Sequence, residues 1–405
     1  MDKVCVVGLG YVGLPTAGLL ASKGFHVCGV DVNPQVVQTI NRGEIHIHEP
    51  ALDVLVKSAV NSGHLTASLE PTSADVFILA VPTPFKDGHV PDISYVEAAT
   101  EAIACYLAPG NLVILESTSP VGTTEKISHW LQELRPDLDA DSLHVAHCPE
   151  RVLPGQILKE LISNDRIIGG INPASTAQAA DFYQRFVTGE ILLTQARTAE
   201  LAKLTENAFR DVNIAFANEL SLICDQLNID VWELRSLANR HPRVNILQPG
   251  PGVGGHCIAV DPWFIVDSAP EQARLIRTAR QVNDSKPHHV VNQVKAATAH
   301  FNQAVIACLG LAYKANIDDL RESPAVAIVR ELATEIVGHI LAVEPHISSL
   351  PAKLDSLGNI QLVELETALK KADILVLLVD HQAFRDIDTE QLKGKTLIDT
   401  RGIWR

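Results

Sequence analysis

The sequence predicts an α/β protein in which two doubly wound domains are joined by a central helical domain with one long helix. Short apolar runs alternate with helical patterns in the first half of the chain, and the same alternation returns near the C-terminus. Between them, Thr198 to Leu227 keeps helical periodicity without Pro or Gly. The 405 residues suffice for two or three domains at roughly 150 residues each. We predict domains at residues 1–195, 196–300 and 301–405.

Composition excludes several classes of protein. Hydrophobic residues make up 46% of the chain and charged residues 20%, which is typical of a globular protein. A net charge of −15 argues against nucleic acid and anionic membranes as partners. We find neither an apolar run of ~18 residues nor a signal peptide, so we expect no membrane span and a cytoplasmic location. Seven cysteines without a CxxC pair argue against a disulfide framework and a zinc site.

The first predicted strand, Lys3 to Val7, runs into a glycine fingerprint followed by a helical pattern. The residues of this fingerprint are Gly8, Gly10, Tyr11, Val12 and Gly13. The glycines permit a tight turn and the close approach of a pyrophosphate, and the helix N-terminus presents N–H groups to it. Asp31 ends the next strand, His26 to Val30, where a carboxylate would bind ribose hydroxyls. This Rossmann-type pattern predicts NAD, rather than NADP, as the cofactor.

A doubly wound parallel sheet should continue beyond these two strands. Further strands are predicted at Val76 to Val81, Leu112 to Leu115, His144 to Ala146 and Ile167 to Gly169. Ligands bind at the carboxyl ends of such strands, where Thr83 and Thr118 could contact the nicotinamide ribose or a water. For each threonine taken alone, a helix cap or turn residue is the simpler interpretation. We assign no metal to His46 and His48, which lack other ligands nearby.

The long predicted helix aligns three polar side chains. Lys203, Asn207 and Arg210 stand at i, i+4 and i+7 and therefore share one face. Two cations and an amide in this arrangement could stabilise an oxyanion or hold an anionic substrate, although a solvated stripe is the simpler alternative. The helix is also expected to link two domains and to form a subunit interface.

A glycine-rich stretch from Gly250 to Asp261 contains Cys257, our candidate nucleophile. Four glycines precede the cysteine, which suggests a loop that lets a ligand lie against the main chain. A thiol becomes reactive there if a positive group or a helix N-terminus favours the thiolate. The alternative is a structural cysteine beside a glycine turn.

The C-terminal part is predicted to be a second α/β domain, beginning with a strand at Ala304 to Leu311 and lacking a glycine fingerprint. Its other predicted strands are Ile340 to Val343, Ile374 to Val379 and Thr396 to Ile398. The strand ends carry Lys314, Arg321 and Arg401, side chains suited to phosphate in an otherwise acidic protein. We interpret this domain as the site of a second nucleotide, with surface basic residues as the alternative.

Several long motifs occur in order, among them VPTPF, ESTSPVGTTEK, CPERVLPG, GPGVGGHCIAVDPW, LAYKANIDDLRESP and DTRGIW. With them the chain resembles, from end to end, the nucleotide-sugar 6-dehydrogenases, the family of UDP-glucose and GDP-mannose dehydrogenases. The resemblance implies two Rossmann-like domains around the central helical domain, a homodimer, and NAD-dependent oxidation of a UDP-sugar at C6. It further implies a role in bacterial surface polysaccharide synthesis.

The resemblance also implies roles for individual residues. Cys257 would be the nucleophile, Lys203 and Asn207 would stabilise oxyanions, and Asp261 and Glu150 would assist water activation. Cofactor contacts would add Thr83, Thr118 and Arg321 to the fingerprint and Asp31. Substrate contacts would come from Arg151, Val152, Lys203, Asn207, Arg210, His241, Arg243, Gly254, Lys314 and Arg401.

Three departures from the family pattern bear on the substrate. Val260 replaces a lysine, Pro154 replaces a second glutamate and His256 replaces a serine of the members that act on UDP-glucose. The resemblance thus implies UDP-N-acetyl-D-mannosamine as substrate, with UDP-N-acetylglucosamine and UDP-glucose as alternatives. A β-hydroxyacid dehydrogenase, which transfers a single hydride, and a redox-sensing NAD-binding module are the alternatives from other classes. Neither requires both Cys257 and a second nucleotide-binding domain.

Overall fold

The computed structural model describes residues 2–139, 142–153, 155–335 and 338–404. Pro154 lies outside the described residues, so its replacement of a glutamate is a feature of the sequence only. The chain divides into two compact units. The first comprises Met1–Glu206 and Trp263–Ala269, and the second comprises Asn207–Pro262 and Pro270–Arg405. The division into three domains made from the sequence stays a prediction.

The first unit is built on an eight-stranded sheet with helices on both faces and a separate short hairpin. The sheet strands are β1 Lys3–Val7, β2 His26–Val30, β3 Leu65–Ser68, β4 Val76–Leu79, β7 Leu112–Leu115, β8 His144–His147, β9 Arg166–Gly170 and β10 Ile191–Gln195, and the hairpin is β5 Phe85–Lys86 with β6 Val90–Pro91. Its helices are α1 Gly13–Ser22, α2 Pro34–Asn41, α3 Leu52–Asn61, α4 Ser94–Ala104, α5 Thr123–Leu134, α6 Ile157–Ser163 and α7 Pro173–Tyr183.

The strand order of this sheet is β10-β9-β8-β7-β4-β1-β2-β3. All neighbours are parallel except β8 and β9, which pair antiparallel with Ala146 opposite Gly170. The expectation of a fully parallel sheet is therefore wrong at this one junction, because apolar periodicity indicates a strand but not its direction. The sequence interpretation also missed β3, β10 and the hairpin. All of these segments are short. Every residue of β10 and of the hairpin is exposed or half-buried, and only β3 has buried residues.

The second unit contains a five-stranded sheet in the order β13-β12-β11-β14-β15, with every pair parallel. Its strands are β11 Val305–Leu309, β12 His339–Val343, β13 Ile360–Leu362, β14 Ile374–Leu377 and β15 Thr396–Asp399. Its helices are α9 Val231–Ala238, α11 Arg274–Thr298, α12 Pro324–Glu335, α13 Ala352–Asp355, α14 Leu365–Lys371 and α15 Gln382–Arg385. Two helices continue from one unit into the other, α8 Ala196–Leu227 and α10 Asp261–Ser268.

Local side chains explain where several helices begin. Asn33 accepts a hydrogen bond from the Gln35 N–H at the start of α2, and Asn172 does the same for Ser175 in α7. A proline follows each cap, in the first helical turn where its missing N–H costs nothing. Within the described residues no helix is long and apolar enough to cross a membrane. None of the seven cysteines, all of which lie in described segments, forms a disulfide.

Candidate active site

The turn between β1 and α1 in the first unit leaves one of its three glycines beside open space. A Cβ on Gly8, which has a φ of +93°, would lie 2.5 Å from the Ala80 carbonyl oxygen, and one on Gly13 would collide with the Gly8 carbonyl. At Gly10 no described atom lies within 4 Å of such a Cβ. The turn itself therefore requires Gly8 and Gly13, whereas Gly10 leaves room for a phosphate at the N-terminus of α1.

Asp31 lies beside this turn, directly after β2. Its Oδ2 accepts the Leu9 N–H at 3.1 Å and its Oδ1 accepts the Asn33 N–H at 2.9 Å. The side chain is half-buried, so the carboxylate retains an accessible face. An anion in this position suits the free ribose hydroxyls of NAD and repels the 2′-phosphate of NADP. The residues present thus fit a bound NAD.

The loops that follow β4 and β7 are tied to each other. The Thr83 hydroxyl donates to the Thr118 carbonyl oxygen at 2.5 Å, and the Ser117 hydroxyl donates to that of Val81 at 2.6 Å. The structure therefore brings Thr83 and Thr118 together. The Thr83 hydroxyl has the turn-stabilising role that the sequence left open as an alternative. Contact of the two threonines with the cofactor stays a prediction.

The loop after β8 is held by two ion pairs. Buried Glu150 contacts the equally buried Arg166 at 2.9 Å and accepts the Arg151 N–H at 2.6 Å. The Arg151 guanidinium in turn pairs with Glu206 of α8 at 2.6 Å. Val152 and Lys203 are both half-buried in this unit, Val152 against the apolar core and Lys203 on α8. The predicted catalytic and substrate residues of this loop are thus held in fixed positions.

Glu116 is a buried carboxyl that the sequence interpretation quoted in a motif but gave no role. The Tyr183 hydroxyl donates to it at 2.7 Å and that of Thr16, in α1, at 3.4 Å. Burial raises the pKa of Glu116 from 4.5 to about 7; the Arg166 charge opposes this shift and the Glu150 charge adds to it. A charged residue directly after the four apolar residues of β7 was the sequence signal for such a group.

In the second unit, the glycine loop from Gly250 to Gly255 packs against the C-terminal part of the chain. A Cβ on any of its four glycines would meet an atom of that part. The atoms are Arg401 Nη1 at 2.7 Å for Gly250, Pro324 Cβ at 2.9 Å for Gly252, the Glu322 carbonyl oxygen for Gly254 and Tyr313 Cε2 at 2.9 Å for Gly255. The expectation that the glycines admit a ligand is corrected, because they accommodate the chain's own side chains and backbone. Substrate binding by Gly254 stays a prediction.

Cys257 is exposed in the turn that leads into α10. Its carbonyl oxygen accepts the N–H groups of Val260 and Asp261, at 3.0 and 2.9 Å. Asp261, which is buried at the start of α10, accepts the Asn207 side-chain amide at 2.5 Å. The structure therefore brings together two of the predicted catalytic residues, Asn207 and Asp261. Asp261 lies four residues after the candidate nucleophile. Lys203 lies one turn before Asn207 on α8 and belongs to the first unit.

A buried polar network fixes the start of the glycine loop. The Gly250 N–H donates to Asn218 Oδ1 at 2.8 Å, and the Asn218 amide donates to Asn283 at 2.8 Å. Asn283 in turn donates to Asp211 at 2.8 Å, and the buried Arg280 pairs with Asp211 at 2.5 Å. The sequence interpretation missed these residues. Polar side chains at buried positions of two long helices, α8 and α11, were the available signal.

Lys314 and Arg401 line one pocket of the second unit, together with Tyr313, Val379 and their chain neighbours. Arg401 also pairs with Asp380, its Nη2 and Nε lying 2.8 and 3.0 Å from Oδ1. This pocket lies at the carboxyl ends of β11, β14 and β15, where the sequence predicted a second nucleotide.

The remaining predicted side chains of the second unit lie on loops or helix surfaces. Arg321 pairs with Asp319 at 2.6 Å. His241, Arg243 and Arg210 are exposed, and the Arg243 N–H donates to His241 Nδ1 at 3.3 Å. Their contacts with substrate or cofactor stay predictions.

The His46 to Glu49 segment of the first unit serves a structural purpose. Glu49 is buried, and its two carboxylate oxygens accept the N–H groups of Gly155 and Ile157, each at 2.8 Å. The acidic member of this segment therefore stabilises the start of α6.

Three family models match consecutive parts of the chain. Residues 2–187 match the NAD binding domain of the UDP-glucose/GDP-mannose dehydrogenase family, residues 197–285 its central domain and residues 307–405 its UDP binding domain. The chain belongs to the UDP-glucose/GDP-mannose dehydrogenase family. It is an NAD-dependent oxidoreductase of nucleotide sugars, and the predicted fold class of two Rossmann-like domains around a helical one is confirmed.

Individual members of the UDP-glucose/GDP-mannose dehydrogenase family are similar over nearly the whole chain. The NDP-N-acetyl-D-galactosaminuronic acid dehydrogenase of Ralstonia nicotianae is 61% identical, covering 99% of this chain and 96% of its own. The UDP-N-acetyl-D-mannosamine dehydrogenase of Salmonella typhi is 58% identical, covering 99% of both. The structure of UDP-D-ManNAc dehydrogenase from Pyrococcus horikoshii matches with a TM-score of 0.89 and 40% identity, covering 100% of this chain and 96% of the other.

Proposed function

We propose that the protein oxidises the C6 alcohol of UDP-N-acetyl-D-mannosamine to the carboxylate of UDP-N-acetyl-D-mannosaminuronate, with two NAD per sugar. The observation that carries this proposal is the exposed Cys257, four residues ahead of an Asp261 that Asn207 binds. Oxidation of an alcohol to an acid removes four electrons. An enzyme that does so needs a group to retain the aldehyde between the two steps, and a thiolate has that capacity.

The reaction consumes one alcohol, two NAD and one water, and yields one carboxylate, two NADH and three protons. NAD supplies the acceptor for a hydride from C6 in each oxidation. The Cys257 thiolate adds to the aldehyde carbon, and the resulting thiohemiacetal is oxidised to a thioester. Water then attacks the thioester carbon, the C–S bond breaks and the thiolate is regenerated. The N-terminal end of α10 follows Cys257, and the dipole of a helix favours an anion at that end.

Four further residues would stabilise charge and activate water. Lys203 and Asn207 stabilise the oxyanions that form at C6, an effect worth ~3 kcal/mol for one well-placed donor. Asp261 and Glu150 assist the attacking water. The hydrogen bond from Asn207 to Asp261 and the ion pair of Glu150 with Arg166 support these roles, because they fix both carboxylates.

The choice of sugar rests on relatives with full-length similarity. Several UDP-N-acetyl-D-mannosamine dehydrogenases are 57% to 58% identical. A second candidate is the corresponding N-acetylgalactosamine nucleotide, because two NDP-N-acetyl-D-galactosaminuronic acid dehydrogenases are 61% and 60% identical. Both candidates carry an N-acetyl group at C2. His256 and Val260, which depart from the pattern for UDP-glucose, agree with a substrate of this class.

Further parts of the proposal concern the setting of the enzyme. We expect a cytoplasmic homodimer that supplies a uronic acid for bacterial surface polysaccharide. The dimer is supported by an apolar stripe on α8, where Phe209, Phe216 and Ile223 recur every seven residues and are exposed. Domain boundaries at residues 1–195, 196–300 and 301–405 belong to the same proposal.

A panel of UDP-sugars tests the function directly. We expect UDP-N-acetyl-D-mannosamine to give the highest kcat/KM and to release two NADH per sugar, measured by absorbance against the uronate formed. Preference for UDP-N-acetylgalactosamine would select the second candidate. A ratio of one NADH, with aldehyde accumulating, would contradict the two-step mechanism and favour a single-hydride dehydrogenase.

A further inference from the structure

Glu344 holds the same topological position in the second unit that Asp31 holds in the first. In each sheet the second strand along the chain pairs with the first strand. Asp31 directly follows that second strand, β2, and Glu344 directly follows its counterpart, β12. In the registers of the two sheets, Val7 lies opposite Val30 and Leu309 opposite Val343. The two carboxylates are therefore counterparts, one in the site for NAD and one in the domain for UDP.

Each carboxylate accepts the N–H two residues past the first strand of its sheet and the N–H two residues beyond itself, but Glu344 is more deeply buried and makes two further contacts, with the Ala312 N–H and with His381. Glu344 is buried, and its Oε2 accepts the N–H groups of Leu311 and Ala312, at 2.7 and 2.9 Å. Its Oε1 accepts the His346 N–H at 3.2 Å. Burial acts to raise the pKa of Glu344, but the hydrogen bonds from His381, Leu311 and Ala312 outweigh it and keep that pKa below its ordinary value. Glu344 is thus an anion whose oxygens are turned toward its own backbone, and no face is left for a ribose.

His381 contacts both Glu344 and the backbone at Asn316. It is fully buried, and its Nδ1 accepts the Asn316 N–H at 2.9 Å, so the proton of the neutral ring lies on Nε2. Nε2 lies 3.1 Å from Glu344 Oε2 and donates to it. Asn316 has a left-handed φ of 61°, and its side chain accepts the Gln382 N–H at 3.0 Å. The carboxylate and the imidazole thus hold both ends of the segment from 311 to 316.

That segment forms one wall of the pocket described above. Ala312, Tyr313, Lys314 and Ala315 all line it, as do Arg401 and Asp380. Tyr313 also packs on Gly255 of the glycine loop, two residues before Cys257.

We propose that Glu344 and His381 are positioning residues that fix the segment 311–316 so that its backbone and Lys314 can bind the diphosphate of a UDP-sugar. This inference rests on the proposed function. A carboxylate at this position binds ribose in a dinucleotide site, whereas Glu344 here fixes a loop of the proposed UDP site. We call the pair of Glu344 and His381 the clamp.

A metal site is the competing interpretation, because one potential ligand atom from each of Glu344, His346 and His381 lies within 4.8 Å of the other two. Both ring nitrogens of His381 are engaged, Nδ1 by the Asn316 N–H and Nε2 by its own proton to Glu344. A neutral imidazole in this state has no lone pair left for a cation. The geometry therefore favours the clamp.

Binding of UDP to the full-length protein, measured by titration calorimetry, tests the proposal. Glu344→Gln places an amide N–H₂ against N–H donors, and we expect its Kd for UDP to rise about tenfold. His381→Asn keeps an acceptor near Asn316 and His381→Gln keeps a donor near Glu344, so each should weaken UDP binding less than Glu344→Gln does. The KM for NAD should not change in any of the three.

Leu354→Ala is the matched control, since Leu354 is fully buried in α13 of the same unit. We expect it to lower the thermal midpoint at least as much while leaving the Kd for UDP unchanged. Equal weakening of UDP binding by Leu354→Ala, or unchanged binding in Glu344→Gln, overturns the clamp. A metal-dependent gain in the wild-type thermal midpoint with zinc, abolished in His346→Ala, would establish the competing site instead. A wild-type protein that fails to bind UDP removes the proposed function as well.

Discussion

At the scale of single residues, Cys257 and Lys203 have different roles in the proposed reaction, so their variants should fail in different ways. Replacing Cys257 by Ser substitutes an alkoxide, which forms less readily than a thiolate, and an ester, which hydrolyses more slowly than a thioester. We expect Cys257→Ser to lose most of its turnover and to retain covalently bound sugar. Mass spectrometry of the intact variant after incubation with NAD and substrate checks this.

Lys203→Ala provides the comparison for that measurement. Because Lys203 is proposed to stabilise charge rather than to carry the sugar, this variant should be slow in both oxidations without accumulating an adduct. Turnover by Cys257→Ser close to that of the wild type would show that the thiol is structural. The two-step mechanism would then need another residue.

Glu116 predicts a pH dependence of stability. Its pKa is raised to about 7 by burial, so between pH 4.5 and 7 the folded state holds a proton that the unfolded state has lost. Stability must therefore fall as pH rises through this window. Glu116→Gln mimics the protonated acid and lacks this dependence, so its free energy of unfolding relative to the wild type should rise from pH 4.5 to 7 and level off above pH 7.

Thermal unfolding of both proteins at half-unit pH steps provides the test for Glu116. Asp31→Asn is the control, because it makes the corresponding carboxylate-to-amide change at a half-buried position of the same unit. A constant difference between wild type and Glu116→Gln across the range would mean that Glu116 does not titrate in this interval.

At the scale of elements, strands and long helices could be predicted because apolar periodicity reports them directly. β1, β2 and β7 have the predicted bounds, and α8 begins two residues earlier than predicted. The predicted strand Val76 to Val81 ends two residues early, at Leu79. The direction of β9 could not be predicted, since a run of apolar residues is the same read in either sense.

The glycine loop shows why its purpose could not be predicted from the sequence. Four glycines in six residues indicate that something approaches the backbone closely, and that inference is correct. What approaches is Arg401, Pro324 and Tyr313, residues 58 or more positions away in the chain. Nothing local in the sequence encodes a partner at that separation. For the same reason the network of Asn218, Asn283 and Asp211 emerges only from the packing of α8 on α11.

At the scale of the whole molecule, the α8 stripe predicts the oligomeric state. Phe209, Phe216 and Ile223 are 68%, 51% and 45% exposed, and a second copy of the chain would remove them from water. A charge in the middle of this stripe should oppose association. We expect Phe216→Glu to run as a monomer where the wild type runs as a dimer, by size exclusion with light scattering.

Leu275→Glu is the control for that comparison, because Leu275 is 68% exposed at the start of α11 and lies outside the stripe. It should leave the dimer intact. Wild-type and Phe216→Glu proteins of equal mass would refute an interface built on this face.

Because open space lies beside Gly10 but not beside Gly8 or Gly13, alanine substitutions at these three glycines should have two different effects in a cell. Alanine at Gly8 or Gly13 collides with backbone, so the cell would lose the protein itself to misfolding and degradation. Alanine at Gly10 meets no described atom and would leave a folded, abundant and inactive chain. Such a chain could still associate with active copies. The same amino acid change, at neighbouring glycines of one motif, would thus be recessive in two cases and able to act dominantly in the third.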